Sequence, residues 1–360
     1  MTSIADLPTD LPAEVSARLR QGTVIPAHLL ALDADRKLDA RRQRALSRYY
    51  LDAGVGGLAV GVHSTQFAIR DVGLYEPVLH MAMQTAYDWT PLDGKRALVM
   101  IAGVAGMTAQ ARSEAQTARG LGYHAALLSL AAMKGASDDQ LIEHCRAVAD
   151  VMPLVGFYLQ PAVGGIALGT DFWRRFALIE NVVAIKIAPF NRYRTLDVIR
   201  GVVQARAEDR ITLYTGNDDH IVLDLVTPFH MARDSETVTV RIKGGLLGHW
   251  SVWTQRAVQL LARCHAAVAV GQIDDALLAL DSQVTDCNSA LFDVAHDYRG
   301  CIAGCHEVFR RQGLLDGIWC LDPAEGLSPG QAQQIDRVQA AYPALNDDDF
   351  VRAHVRRWLE

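Results

Sequence analysis

Short apolar runs, rich in β-branched residues, alternate along the chain with longer segments whose apolar residues recur at helical spacing. The runs lie near 24–32, 57–61, 97–104, 124–130, 153–160, 182–188, 211–216 and 237–243. They predict strands buried on both faces. The periodic segments lie near 40–53, 72–88, 108–121, 138–151, 170–179, 193–206, 218–226 and 250–270. They predict helices, with Ser137-Asp138 and Thr170-Asp171 as start signals. Eight strand–helix units in succession favour parallel strands with right-handed crossovers, an α/β (β/α)8 barrel. An open doubly wound sheet is the alternative, but it usually carries a Gly-rich phosphate turn after its first strand, and none follows Leu32. After residue 271 the strand signals stop, and 273–292, 296–312 and 328–342 read as helices, with glycines and the 323–330 segment as punctuation. The expected organisation is an N-terminal arm (1–22), the barrel (23–271), a C-terminal helical extension (272–343) and a tail (344–360).

Composition narrows the class of function. The chain has 360 residues, 50% of them hydrophobic and 21% charged, which suits a large soluble core. A net charge of −6 and the lack of a basic block give no reason to expect nucleic acid or an anionic membrane as partner. No uncharged apolar run is long enough to span a bilayer. The acidic N-terminus (Asp6, Asp10, Glu14) does not read as a secretory leader, and six scattered cysteines then fit a reduced, cytoplasmic setting. Cys301, Cys305 and His306 match no zinc spacing and read as core residues of a packed helix.

Lys186 interrupts the apolar run 182–188. Removal from water disfavours its ammonium form. A neutral lysine amine attacks carbonyl carbon and forms a Schiff base. A lysine whose head snorkels into water from a strand end is the structural alternative. Active groups of such barrels sit at the C-terminal ends of the strands. Lys186 closes the sixth strand and Tyr158 the fifth, so both are expected to reach one cavity, with Tyr158 moving protons beside the lysine. A packing tyrosine with a bonded hydroxyl is its alternative.

These residues carry a resemblance. The order Pro26, 53–61 (AGVGGLAVG), 102–104 (AGV), Tyr158-Leu159-Gln160-Pro161, Asn181 to Lys186 and Thr215-Gly216-Asn217-Asp218-Asp219 resembles the dihydrodipicolinate synthase / N-acetylneuraminate lyase family of class I aldolases. It extends over roughly residues 22 to 343. It implies a barrel with a helical extension, a homotetramer, Lys186 as Schiff-base lysine, Tyr158 as proton-transfer residue, and Gly216 near the substrate. It implies neither a metal nor an organic cofactor. The departures are specific. The family's Gly-Thr-Thr-Gly-Glu loop, whose hydroxyls hold a 2-oxo acid carboxylate, is here Gly61-Val62-His63-Ser64-Thr65-Gln66-Phe67. His63, Ser64 and Thr65 become the substrate-binding candidates. No tyrosine occurs in 129–134, and Val163 stands where those synthases have an arginine, so dihydrodipicolinate synthesis is not expected.

Strict alternation in 237–243 places Thr239, Arg241 and Lys243 on one face. The expectation is that Arg241 and Lys243 point into the barrel and bind an anionic substrate group; a strand-exit lysine and a paired arginine are the alternative. Asp218-Asp219 read as a helix cap, and His249 and Trp250 as pocket lining or packing. Two functions follow. One is a Schiff-base lyase, aldolase or dehydratase acting on a 2-oxo acid or related carbonyl compound. The other is a catalytically altered barrel that binds or regulates.

Overall fold

Parallel pairing around one axis follows from the alternation of apolar runs and helices. In the computed structural model, which describes residues 11–89 and 97–360, the strands are β1 (Val24–Pro26), β2 (Gly57–Val60), β3 (Val99–Val104), β4 (Ala125–Leu128), β5 (Leu154–Tyr158), β6 (Val182–Ile187) and β7 (Thr212–Thr215). An antiparallel hairpin, β8 (Phe229–Arg233) and β9 (Glu236–Val240), then precedes the last barrel strand, β10 (Ile242–Leu247). The sheet order is β1-β10-β7-β6-β5-β4-β3-β2. A bridge between Ala27 and Ala59, with the His28 N–H donating to the Ala59 carbonyl at 2.8 Å, joins β1 to β2 and closes the (β/α)8 barrel.

Each strand divides its residues between two layers. Ile25, Ala59, Ile101, Val155, Ala184 and Tyr214 fill the barrel interior. Their neighbours, such as Leu58, Met100 and Leu213, pack outward against the helical ring. That ring comprises α2 (Ala40–Asp52), α3 (Tyr75–Trp89), α4 (Thr108–Gly120), α5 (Asp138–Ala149), α6 (Thr170–Ala177), α7 (Arg192–Gln204), α8 (Ile221–Val226) and α9 (Thr254–Val270). Ser137 starts α5 with a capping box completed by Gln140. Gly169, rather than Thr170, caps α6; the Thr170 hydroxyl instead donates to Asp197.

Of the expected arm, residues 1–10 lie outside the described residues. The rest forms α1 (Ala13–Gln21), whose Val15 and Leu19 plug the N-terminal end of the barrel. Tyr214 anchors this plug by donating its hydroxyl to the Leu19 carbonyl at 2.8 Å. After the barrel come α10 (Asp275–Leu291), α11 (Cys301–Arg311), α12 (Gln331–Ala341) and α13 (Asp348–Trp358). Among the described residues no helix is long and apolar enough to cross a membrane.

The eighth strand differs from expectation. The β-rich stretch ending at Val240 is one arm of the hairpin, turned at Asp234 (φ 52°). The barrel strand instead contains Gly244 and Gly245, which the sequence presents as a loop. Close approach explains the glycines: a Cβ on Gly244 would lie 2.6 Å from the Thr23 backbone, and one on Gly245 2.6 Å from the Trp250 ring.

Candidate active site

A cavity opens at the C-terminal ends of the strands, where the barrel's loops meet the helical extension. Lys186 projects into it from β6 and is only 7% exposed. Alternation along β6 sends Ile185 and Ile187 to the outer layer, while Ala184 and Ala188 share the inner face with the lysine. Gly216 makes room for it. A Cβ there would sit 2.8 Å from the lysine Cε and 3.1 Å from its Cγ, so the aliphatic stem lies directly on the glycine backbone. The Nζ lies 4.5 Å from the centroid of the Phe157 ring. Burial pulls the Lys186 pKa down to about 8, partly opposed by the negative charge of Asp218.

Asp218 faces the same cavity from the loop after β7. Burial raises its pKa to about 7, against the opposing effects of Lys186 and of the His249 N–H, which donates to Oδ1 at 3.2 Å. Its backbone carbonyl accepts from Asn288 Nδ2 at 2.5 Å, tying it to α10. The expectation that Asp218 caps a helix is therefore corrected: His220 occupies the N-cap of α8, without a side-chain cap bond. An amine and a carboxyl with ionisations this close to neutrality can exchange a proton at little cost.

His63 and Ser64 line the cavity, as expected of substrate-binding candidates. Burial, with the adjoining Lys186 charge, lowers the His63 pKa to about 4, so its imidazole is neutral. Thr65 does not line the cavity. Its hydroxyl donates to the His28 carbonyl at 2.6 Å and accepts the Gly61 N–H at 3.0 Å, pinning the loop to β1 and β2. Arg70 fixes the other end of the loop. It forms a two-pronged pair with Glu114 at 2.9 Å and donates to the Gly103 carbonyl at 3.0 Å.

Tyr158 is not brought together with Lys186. Phe157 pairs with Lys186 across β5 and β6 and takes the inner face, so Tyr158, one residue on, points outward. The phenol packs on Trp173 at 5.2 Å, donates to the Leu168 carbonyl at 2.9 Å and accepts the Leu168 N–H at 3.1 Å. Burial raises its pKa. A proton-transfer role at Lys186 is thereby withdrawn. Tyr158→Phe is expected to lower stability by about 1 kcal/mol through loss of these bonds and to leave turnover within about twofold, read by denaturant unfolding and steady-state assay.

Arg241 and Lys243 are corrected too. Both lie at the N-terminal end of the barrel, in a cleft with Arg20, Glu208 and Asp209. Arg241 Nη1 donates to the Val226 carbonyl at 2.9 Å, and Lys243 is exposed. The expected strand, 237–243, starts five residues before β10 (Ile242–Leu247), so the start of β10 looked like its end. Conversely, Cys301 and Cys305, read as plain core thiols, line the cavity from α11 together with Tyr298 and Ile302. Burial raises both thiol pKa values, so they are neutral. The signal for Asp218 was its place just after a barrel strand. For the α11 residues the sequence carried none, because they reach the site from a separate layer.

Comparison with known proteins places this geometry. The chain matches the Dihydrodipicolinate synthetase family over residues 20–337. It is 27% identical over 206 residues to an N-acetylneuraminate lyase of Salmonella paratyphi B; that match covers 56% of this chain and 64% of the lyase, less than two thirds of its length. The chloride-inhibited dihydrodipicolinate synthase from Acinetobacter baumannii, complexed with pyruvate, superposes with a TM-score of 0.70 at 18% identity, covering 90% of this chain and 98% of the other. A Clostridium difficile protein, CdNal, in complex with mannosamine gives 0.70 at 14% identity, covering 89% and 99%. At these identities the structures establish a shared fold. With the family match spanning most of the sequence, the chain belongs to the dihydrodipicolinate synthetase family.

Proposed function

We propose that the protein is a Schiff-base lyase whose Lys186 condenses with a 2-oxo acid. The observation that carries this is a lysine amine buried on the inner face of β6, with a pKa near neutrality, in a cavity at the catalytic end of the barrel. Asp218 takes the proton from the ammonium. The free amine attacks the substrate carbonyl carbon, forming a C–N bond and a carbinolamine. Asp218 returns its proton to the carbinolamine hydroxyl, which leaves as water, and an iminium remains. In a 4-hydroxy-2-oxo acid the iminium at C2 then draws the electron pair of the C3–C4 bond while Asp218, a carboxylate again, takes the C4 hydroxyl proton. An aldehyde departs, Asp218 returns that proton to C3 of the enamine, and water hydrolyses the iminium to release the second product and the lysine amine. Ser64 and the neutral His63 supply uncharged donors for the substrate carboxylate. The pyruvate-complexed relative supports a 2-oxo acid. The family's homotetramer and a cytoplasmic setting belong to the same proposal.

The test is borohydride reduction with pyruvate, followed by mass analysis of the peptide bearing Lys186. The free-amine fraction grows as pH rises through the lysine pKa, so trapping is expected to increase between pH 7 and 9, around a midpoint of about 8. No adduct at any pH would remove the proposal. A second reading is favoured by the outward turn of Tyr158: a barrel that forms the imine and holds it, without turnover. A stoichiometric adduct with no product release would select that reading.

A further inference from the structure

We infer that the helical extension roofs the Lys186 cavity and limits its substrate to a carbonyl compound of about three to five carbons, with Phe292, Tyr298 and Ile302 setting the limit. This rests on the lysine reading above and adds a size class to it. These three residues line the cavity together with Lys186, although they come from the end of α10, the following segment and α11. The room left for the centres of water-sized molecules is about 80 Å³. An enclosed cavity of about 150 Å³ holds benzene, with its six heavy atoms, so this smaller, open-mouthed space suits a compound of that order. Pyruvate has about six heavy atoms and a five-carbon oxo acid about eight. A nine-carbon sugar acid is more than twice that size.

The roof is built rather than draped. Asp293, in the left-handed region (φ 55°), accepts the Gly300 N–H at 3.0 Å, His296 Nδ1 at 2.6 Å and the Ser328 hydroxyl at 2.5 Å. Gln331 Nε2 donates to the Gly300 carbonyl at 3.0 Å and the Leu291 carbonyl at 3.2 Å. A Cβ on Gly304 would fall 2.0 Å from that same Leu291 carbonyl oxygen, so α11 is seated as close to α10 as backbone allows. Tyr298 (φ 66°) leans on Phe190 (φ 51°) with ring centroids 5.9 Å apart, linking the roof to the loop after β6. Two strained non-glycine residues in contact beside a cavity require a surrounding structure that holds them.

The test compares pyruvate, 2-oxopentanoate and 2-oxooctanoate in borohydride trapping of the intact protein. Wild-type protein is expected to trap the first two and to trap 2-oxooctanoate at least tenfold more slowly than pyruvate. Ile302→Ala and Phe292→Ala, made separately in case one fails to fold, are each expected to raise the octanoate-to-pyruvate ratio at least fivefold. Equal trapping of all three acids by wild-type protein, or an unchanged ratio in a folded variant, overturns the size limit and leaves the lysine reading standing. If no acid is trapped, the lysine reading falls. The size limit is then decided by calorimetry with lactate and 2-hydroxyoctanoate, which form no imine. Binding of lactate alone by wild-type protein, with 2-hydroxyoctanoate admitted by Ile302→Ala, supports it; equal binding of both by wild-type protein overturns it.

Discussion

Lys186→Ala is expected to abolish the pyruvate adduct and to lower kcat/KM by at least roughly three orders of magnitude, because it removes the only proposed nucleophile. The fold should survive. The substitution deletes an aliphatic stem lying on Gly216, but it also removes an ammonium whose burial is itself unfavourable. The net stability change is expected within about 2 kcal/mol, read by denaturant unfolding. Lys186→Arg is no conservative rescue. The guanidinium does not deprotonate and so supplies no nucleophilic amine. Wild-type turnover by the alanine variant would remove the lysine from the mechanism.

Asp218→Asn is the second large effect, and it separates two steps. Turnover is expected to fall by about 10²- to 10⁴-fold, since an amide can neither take the amine's proton nor return it to the departing hydroxyl. The pH response of trapping should move the other way. The Asp218 charge raises the Lys186 pKa; without it, burial acts alone and the pKa drops below about 8. More free amine is then present at neutral pH, and the trapping midpoint shifts to lower pH. Single-turnover trapping against steady-state release measures both. A purely structural aspartate would lower both rates and leave the midpoint in place. Asn also retains an oxygen for the His249 N–H, so the loop geometry is preserved.

Much of this was legible along the chain. Seven barrel strands and their helices follow from hydrophobic period and helix-start chemistry, and Lys186 stood out as a charge inside an apolar strand. What failed did so for identifiable reasons. Tyr158 matched the family order, but order along a chain does not fix the face of a strand. The irregular register between Leu154/Val155 and Val182/Ala184 puts Phe157 opposite Lys186. The last barrel strand was hidden because its glycines, chosen for close packing, look like turn residues, while the neighbouring hairpin has the stronger β-branched signal. Asp218 was read through local capping chemistry, which its burial beside an amine overrides. The α11 residues reach the site through tertiary packing alone.

With Val15 and Leu19 stopping the barrel's axis at one end, molecular traffic is confined to the other. Whatever the cavity admits must leave by the door through which it came. In the proposed reaction the aldehyde half departs while its companion is still tethered to the lysine. Product release therefore has a fixed sequence, and the tethered fragment, last out, is the one that competes with the next arrival.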